Sequence, residues 1–131
     1  MGNVSIGEHV RANYKSGVYI GEIVEDRGES YLVKVLGVEK HPMQGDLHHP
    51  KQVDGVFFHE RKALAKFEKM NVLKGAVFPY EEGIPNYKES LLKAIDRLKE
   101  QLSMKDTEFN KKALNTLENL EQREYGKSYY Q

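Results

Sequence analysis

Four of the five histidines in this 131-residue chain lie within a stretch of nineteen residues, beside an aspartate. The members of this cluster are His41, Asp46, His48, His49 and His59. Imidazole and carboxylate groups together can bind a zinc-like divalent metal, and a His–Asp pair can also transfer protons. The spacing matches no standard metal signature, and adjacent side chains such as His48 and His49 point apart in an extended chain. Metal binding therefore stays an alternative, and the sequence predicts no cofactor.

Motifs that would support catalysis are missing from the sequence. There is no Gly-x-Ser-x-Gly turn to expose a nucleophile, and no glycine-rich loop to bind phosphate. The chain has no cysteine, which excludes thiolate nucleophiles, disulfides and cysteine zinc sites. We therefore predict a binding protein that is not an enzyme and has no catalytic residues.

The histidines fall in and beside a segment, residues 40–56, that the sequence predicts to be a long loop. Its prolines and glycines (Pro42, Gly45, Pro50 and Gly55) interrupt regular structure. Binding residues concentrate on loops that a rigid scaffold holds in place. We therefore predict that a protein partner binds here. The predicted contact residues are His41, Gln44, Asp46, His48, His49, Phe57, Phe58 and His59.

The first eighty residues predict an all-strand scaffold for this loop. Runs of β-branched and aromatic residues predict short strands at 4–13, 18–24, 31–38, 61–67 and 71–73. Gly21 and Gly37 lie inside predicted strands, where glycine is typical of bulges and sharp bends. So few short strands favour an SH3-like β-barrel over residues 1–80, although residues 60–70 are also compatible with a helix.

Residues 81–131 predict an antiparallel helical hairpin, with helices at about 87–103 and 107–125. Asn86 and Glu89 have the spacing of a capping box, and Asp106 is the predicted cap of the second helix. The predicted inner face of the first helix consists of Leu91, Leu92, Ile95, Leu98 and Leu102. A barrel followed by a helical hairpin makes the chain an α+β protein.

Each predicted helix carries a single apolar stripe, which must be buried against something. The candidates are the other helix, the barrel, or a partner such as a second copy of the chain, which would make a homodimer. The tyrosines at the C-terminal end, Tyr125, Tyr129 and Tyr130, are predicted to belong to a frayed end.

The balance of charge limits the class of partner. Lysines and arginines number 20, as do aspartates and glutamates, so the formal net charge is zero. Proteins that bind nucleic acid through phosphate contacts normally carry a basic excess. The composition therefore argues against nucleic acid, leaving an RNA-binding SH3-like module as a weaker alternative. The apolar runs are too short for a membrane span and the first residues do not form a signal peptide, so we expect a cytoplasmic protein.

Several segments together resemble a known family. They are residues 14–23 (YKSGVYIGEI), 31–36 (YLVKVL), 41–50 (HPMQGDLHHP) and 57–65 (FFHERKALA). The sequence is similar, over nearly its whole length, to the kinase-associated lipoprotein B family of spore-forming Gram-positive bacteria. The segment HPMQGDLHHP is the most specific part of this resemblance.

The resemblance implies an SH3-like barrel with a helical appendage. It also implies a positive accessory role for a membrane sensor histidine kinase, which feeds phosphate into the phosphorelay that starts sporulation. It carries over no catalytic residue. Lipid anchoring through a lipobox needs a cysteine, and this chain has none. We therefore expect the protein in the cytoplasm, or at the inner face of the cell membrane through its partner.

Overall fold

Strands precede helices along the chain in a computed structural model, which describes residues 4–45 and 59–131. The strands are β1 (His9–Tyr14), β2 (Gly17–Asp26), β3 (Ser30–Lys40), β4 (Lys69–Leu73) and β5 (Val77–Pro79). The helices are α1 (Tyr87–Ser103) and α2 (Glu108–Arg123), with single 3-10 turns at Lys74–Ala76 and Ser128–Tyr130. The predicted α+β class is confirmed.

The strands form an antiparallel sheet in the order β4-β3-β2-β1-β5. The predicted SH3-like barrel is not confirmed. Within the described residues β4 pairs with β3 and β5 pairs with β1, so these two strands are the edges of a sheet that does not close. The sequence did not predict β5, because it has three residues and ends in Pro79, which cannot donate to a strand ladder.

The glycines inside the strands lie at irregularities, as predicted. Ile20 pairs with Gly37 and Gly21 pairs with Val35, so β3 carries one extra residue between them. A Cβ on Gly37 would lie 2.8 Å from Pro85 Cγ, just ahead of α1. Gly37 therefore lets the chain entering α1 approach the sheet closely.

Helix α1 packs on the sheet of the same chain, against β3, and α2 packs against α1. Side chains from the strands, such as Val33 and Val35, form one buried cluster with Leu91, Ile95 and Leu117 of the helices. At the contact the Val38 N–H donates to Ser90 Oγ at 2.9 Å. Leu92 was predicted on the inner face but is 43% exposed, since it lies next to that face and not on it.

Capping side chains set the first residue of both helices. Asn86 Oδ1 accepts from the Glu89 N–H at 3.0 Å, which confirms the predicted start of α1. The prediction that Asp106 caps α2 is wrong, because Thr107 Oγ1 accepts from the Asn110 N–H at 3.0 Å. Asp106 instead lies 3.3 Å from Lys111 Nζ in an exposed ion pair. None of the helices in the described residues has the length and apolar character needed to cross a membrane.

Replacing the cap and its neighbour should have different effects on stability. Thr107→Ala is expected to lower the free energy of unfolding by about 1 kcal/mol, because it leaves helix N–H groups without an acceptor. Asp106→Ala, the matched control, should cost less than about 0.5 kcal/mol, since an exposed ion pair contributes little. Urea denaturation followed by circular dichroism measures both. Equal losses would show that Asp106 also caps the helix.

Candidate partner-binding site beside the histidine loop

The structure places the predicted contact residues in two different settings. His41 and Gln44 are buried, with exposed fractions of 0% and 3%, and His59 is exposed. The remaining predicted contacts lie outside the described residues: Asp46, His48, His49, Phe57 and Phe58. The site can therefore be built from the two ends of the loop, residues 41–45 and 59–61, which we call the loop neck.

Backbone and side-chain hydrogen bonds join the two sides of the loop neck. The Gly45 N–H donates to the His59 carbonyl at 2.9 Å. The Gln44 amide contacts Arg61 twice, because its Nε2 donates to the Arg61 carbonyl and its Oε1 accepts from the Arg61 N–H, each at 2.9 Å. The Arg61 guanidinium donates to the Gly45 carbonyl. Gly45 has a φ of 103°, a conformation that side chains disfavour. The neck thus fixes where segment 46–58 leaves and rejoins the fold.

The buried imidazole of His41 ties the loop neck to the end of the chain. Its Nδ1 lies 2.8 Å from the Pro42 carbonyl, and its Nε2 lies 2.7 Å from Tyr125 Oη. Tyr125 Oη also accepts from the Ala63 N–H at 2.8 Å, so its own proton is free to be donated to Nε2. This arrangement fits a neutral His41 that carries its proton on Nδ1 and donates it to Pro42.

The surroundings of His41 favour its neutral form. Burial lowers the pKa of His41 to about 4, against a smaller opposing contribution from the Pro42 carbonyl. Both ring nitrogens are hydrogen-bonded, so His41 would have to give up a contact to bind a metal. Within residues 4–45 and 59–131, no three His, Asp or Glu side chains are grouped as a metal site would require. The other predicted metal ligands, Asp46, His48 and His49, lie outside those ranges.

Beyond the loop neck, side chains support the backbone of residues 61–65. The Ala63 carbonyl accepts from Tyr130 Oη at 2.8 Å, while the Ala63 N–H donates to Tyr125. The Leu64 N–H donates to Tyr19 Oη at 3.3 Å, and the Leu64 carbonyl accepts from Tyr87 Oη at 2.5 Å. The prediction of a strand at 61–67 is therefore wrong, because tyrosine hydroxyls and the Gln44 amide take the place of a neighbouring strand.

These tyrosines keep their protons at neutral pH. Burial raises the pKa of Tyr19 to about 12, and it also raises the pKa values of Tyr87, Tyr125 and Tyr130. Tyr125 and Tyr130 are 3% and 2% exposed, so the prediction of a frayed end is wrong for them. Their burial depends on residues far away in the chain, such as Ala63, with which both hydroxyls form hydrogen bonds.

A surface cleft opens beside the loop neck. It has a volume of about 480 Å³, and its walls include Tyr14, Lys15, Pro42, Arg61 and Leu64. Clefts of a few hundred Å³ with apolar walls and a few polar groups are the usual form of a binding site. The geometry therefore places a concave surface beside the joined ends of the loop.

Comparisons with known proteins agree on one family. The sequence model for Kinase associated protein B matches residues 14–126. A protein of Bacillus subtilis (strain 168) named Kinase-associated lipoprotein B is 48% identical over 121 residues, which are 92% of this chain and 94% of that protein. The crystal structure of kinase-associated protein B from Bacillus cereus superposes with a TM-score of 0.78 at 38% identity, covering 92% of this chain and 96% of that one. The chain therefore belongs to the kinase-associated protein B family.

Proposed function

We propose that this protein is a non-catalytic accessory protein that binds a sensor histidine kinase through the histidine loop and the surface around the loop neck. In this role it activates the kinase that feeds phosphate into the sporulation phosphorelay. The observation that supports the proposal is the hydrogen bond from the Gly45 N–H to the His59 carbonyl, which joins the two described residues that flank the polar and aromatic segment 46–58. The name of the family, which associates its members with a kinase, supports the choice of partner.

The loop residues have two separate tasks in this proposal. His41 and Gln44 position the loop, because they are buried and their polar groups are bound within the chain. The contacts to the kinase come from exposed His59 and from Asp46, His48, His49, Phe57 and Phe58. A segment whose two ends are already joined loses less conformational entropy on binding than one with free ends, which favours affinity. Binding to a membrane kinase would hold the protein at the inner face of the cell membrane.

The loop contacts can be tested with a double alanine variant. His48→Ala/His49→Ala is expected to weaken binding to the purified cytoplasmic region of the kinase at least about tenfold, as loss of central contact residues does. Titration calorimetry measures the affinity. The midpoint of thermal unfolding should change by less than about 2 °C, since the proposal assigns these side chains to the partner and not to the core.

A matched control separates loss of contact from general effects of removing histidine. His9 is exposed at the start of β1, outside the loop, and His9→Ala should leave the affinity unchanged. Unchanged affinity in the double variant would contradict the assignment of the loop. Absence of binding by the wild-type protein to every sensor histidine kinase of its host would contradict the proposed function as a whole.

A further inference from the structure

The tip of the β1–β2 hairpin lies between two depressions beside the loop neck. The larger is the cleft of about 480 Å³ described above, and a second of about 400 Å³ adjoins the other side of the tip. Tyr14 and Lys15 line both of them. The two depressions are thus adjacent and share the hairpin tip as a wall, and we call the two together the concavity.

The concavity is basic although the whole chain is neutral. Among the described residues, its basic lining side chains are Lys15, Lys40, Arg61 and Lys62. The Lys62 ammonium lies 3.8 Å from Glu124 Oε1 and is therefore paired. The one carboxylate in the described part of the lining belongs to Glu68. That carboxylate accepts from the Ala65 N–H at 2.9 Å. Lys15 and Lys40 are exposed, and neither has a carboxylate within ion-pair distance among the described residues. The Arg61 guanidinium donates to the backbone carbonyls of Met43 and Gly45.

The walls of the concavity also offer apolar contacts. Tyr14 and Leu64 are half-buried, and Pro42 of the loop neck, which is buried, completes this part of the lining. The Lys15 ammonium lies 5.3 Å from the centre of the Tyr14 ring. A ligand that fits this surface therefore carries negative charge on an extended stretch and at least one large apolar group.

The backbone at the hairpin tip is held in an uncommon conformation. Lys15 and Ser16 have φ values of 45° and 67°, as both central residues of a type I′ turn require. Glycine or asparagine relieves the strain of such positions, and this chain has neither at the tip. Ser16 Oγ accepts from the Met43 N–H at 3.1 Å, which fixes the tip to the loop neck. Such strain is typical of sites where a side chain must point in a set direction.

From these observations we infer that the concavity around Lys15 binds an acidic segment of the partner protein that carries a large apolar side chain. The carboxylates of the segment pair with Lys15, Lys40 and Arg61, and the apolar side chain packs against Tyr14, Pro42 and Leu64. This inference rests on the proposed function and specifies the chemistry of the surface that the kinase must present. A single-stranded nucleic acid also combines negative charge with bases that stack on aromatic side chains, so it is the competing ligand in the test. The zero net charge of the chain favours the protein segment.

Charge reversal around the hairpin tip tests the inference with a defined probe. The probe is a fluorescent peptide of glutamates around a central phenylalanine, measured by anisotropy at about 50 mM salt, where charge contacts are strong. Lys15→Glu/Lys40→Glu should weaken binding at least tenfold. Lys93→Glu/Lys105→Glu changes the net charge equally at exposed positions outside the concavity and should have no effect.

Other results would overturn the inference. They are no binding of the peptide by the wild-type protein, equal weakening in both double variants, or no loss when alanine replaces the phenylalanine of the peptide. Binding of a single-stranded DNA of equal charge as tightly as the peptide would also overturn it, in favour of a nucleic-acid surface. Thermal unfolding of each variant confirms that it is folded.

The same variants separate this inference from the proposed function. If the kinase binds the wild-type protein and Lys15→Glu/Lys40→Glu equally well, the acidic-segment inference is wrong and the loop proposal stands. If no kinase binds the wild-type protein, the proposed function is wrong, and the peptide titration alone decides what the concavity binds.

Discussion

Tyr125→Phe is expected to lower the free energy of unfolding by about 3 kcal/mol, although it removes a single oxygen atom. That oxygen accepts from the Ala63 N–H and lies 2.7 Å from His41 Nε2. Ala63 and His41 are 2% and 0% exposed, so water cannot replace the lost partner. Each buried polar group left unpaired costs about 1–3 kcal/mol, and the substitution leaves two.

Tyr129→Phe is the matched control for this change. Tyr129 is 50% exposed, and its hydroxyl lies 3.5 Å from Glu124 Oε1, at the limit of a hydrogen bond. The expected loss is less than about 0.5 kcal/mol. Urea denaturation followed by circular dichroism measures both variants. Equal stability of the two would show that the Tyr125 hydroxyl does not hold the loop neck.

The sequence predicts an element correctly where residues close together in the chain determine it. The start of α1 depends on Asn86 and Glu89, three residues apart, and the sequence predicts it correctly. For α2 the same reasoning selects Asp106, although the adjacent Thr107 forms the cap. Both side chains can accept from a helix N–H, and the choice between them depends on where the preceding turn ends. The type of element was therefore predictable, and its first residue was not.

The candidate site could be predicted only in part, because its causes are distant along the chain. The sequence marks His41 and Gln44 as polar residues in a loop, and so as contacts for a partner. Their burial depends on Tyr125, 84 residues away from His41, and on Arg61, 17 residues away from Gln44. No pattern in neighbouring residues predicts hydrogen bonds between residues so far apart in the chain. The tyrosines that support residues 61–65 were missed for the same reason.

The buried His41 should make the protein less stable in mild acid. In the unfolded chain this imidazole takes up a proton near its ordinary pKa of 6.5, whereas in the folded protein burial lowers that pKa to about 4. Between these pH values the unfolded state binds more protons than the folded state. The contribution of neutral His41 to the free energy of unfolding is therefore present above pH 6.5 and is lost as the pH falls towards 4. This difference between the folded and unfolded pKa values corresponds to roughly 3 kcal/mol in the free energy of unfolding. Tyr125, which contacts the ring, stays uncharged throughout this range because burial raises its pKa.

His41→Gln isolates this effect from the titration of carboxylates. The pKa values of Asp26 and Glu124 are lowered by hydrogen bonds to Lys74 and Lys127, so these groups also cost stability in acid. A glutamine side chain can still accept from Tyr125 but does not titrate. Urea denaturation between about pH 4 and 8 should therefore show a flatter curve for His41→Gln than for the wild-type protein.

The exposed His9 provides the control for the acid experiment, since His9→Gln removes a histidine that lies outside the loop neck. His9→Gln should follow the wild-type curve, and the difference between the wild type and His41→Gln should grow smaller as the pH falls. A constant difference across the range would mean that His41 takes up its proton as readily in the folded protein as in the unfolded chain. The neck would then have to open to water around the imidazole, and the loop would not be anchored as the hydrogen bonds indicate.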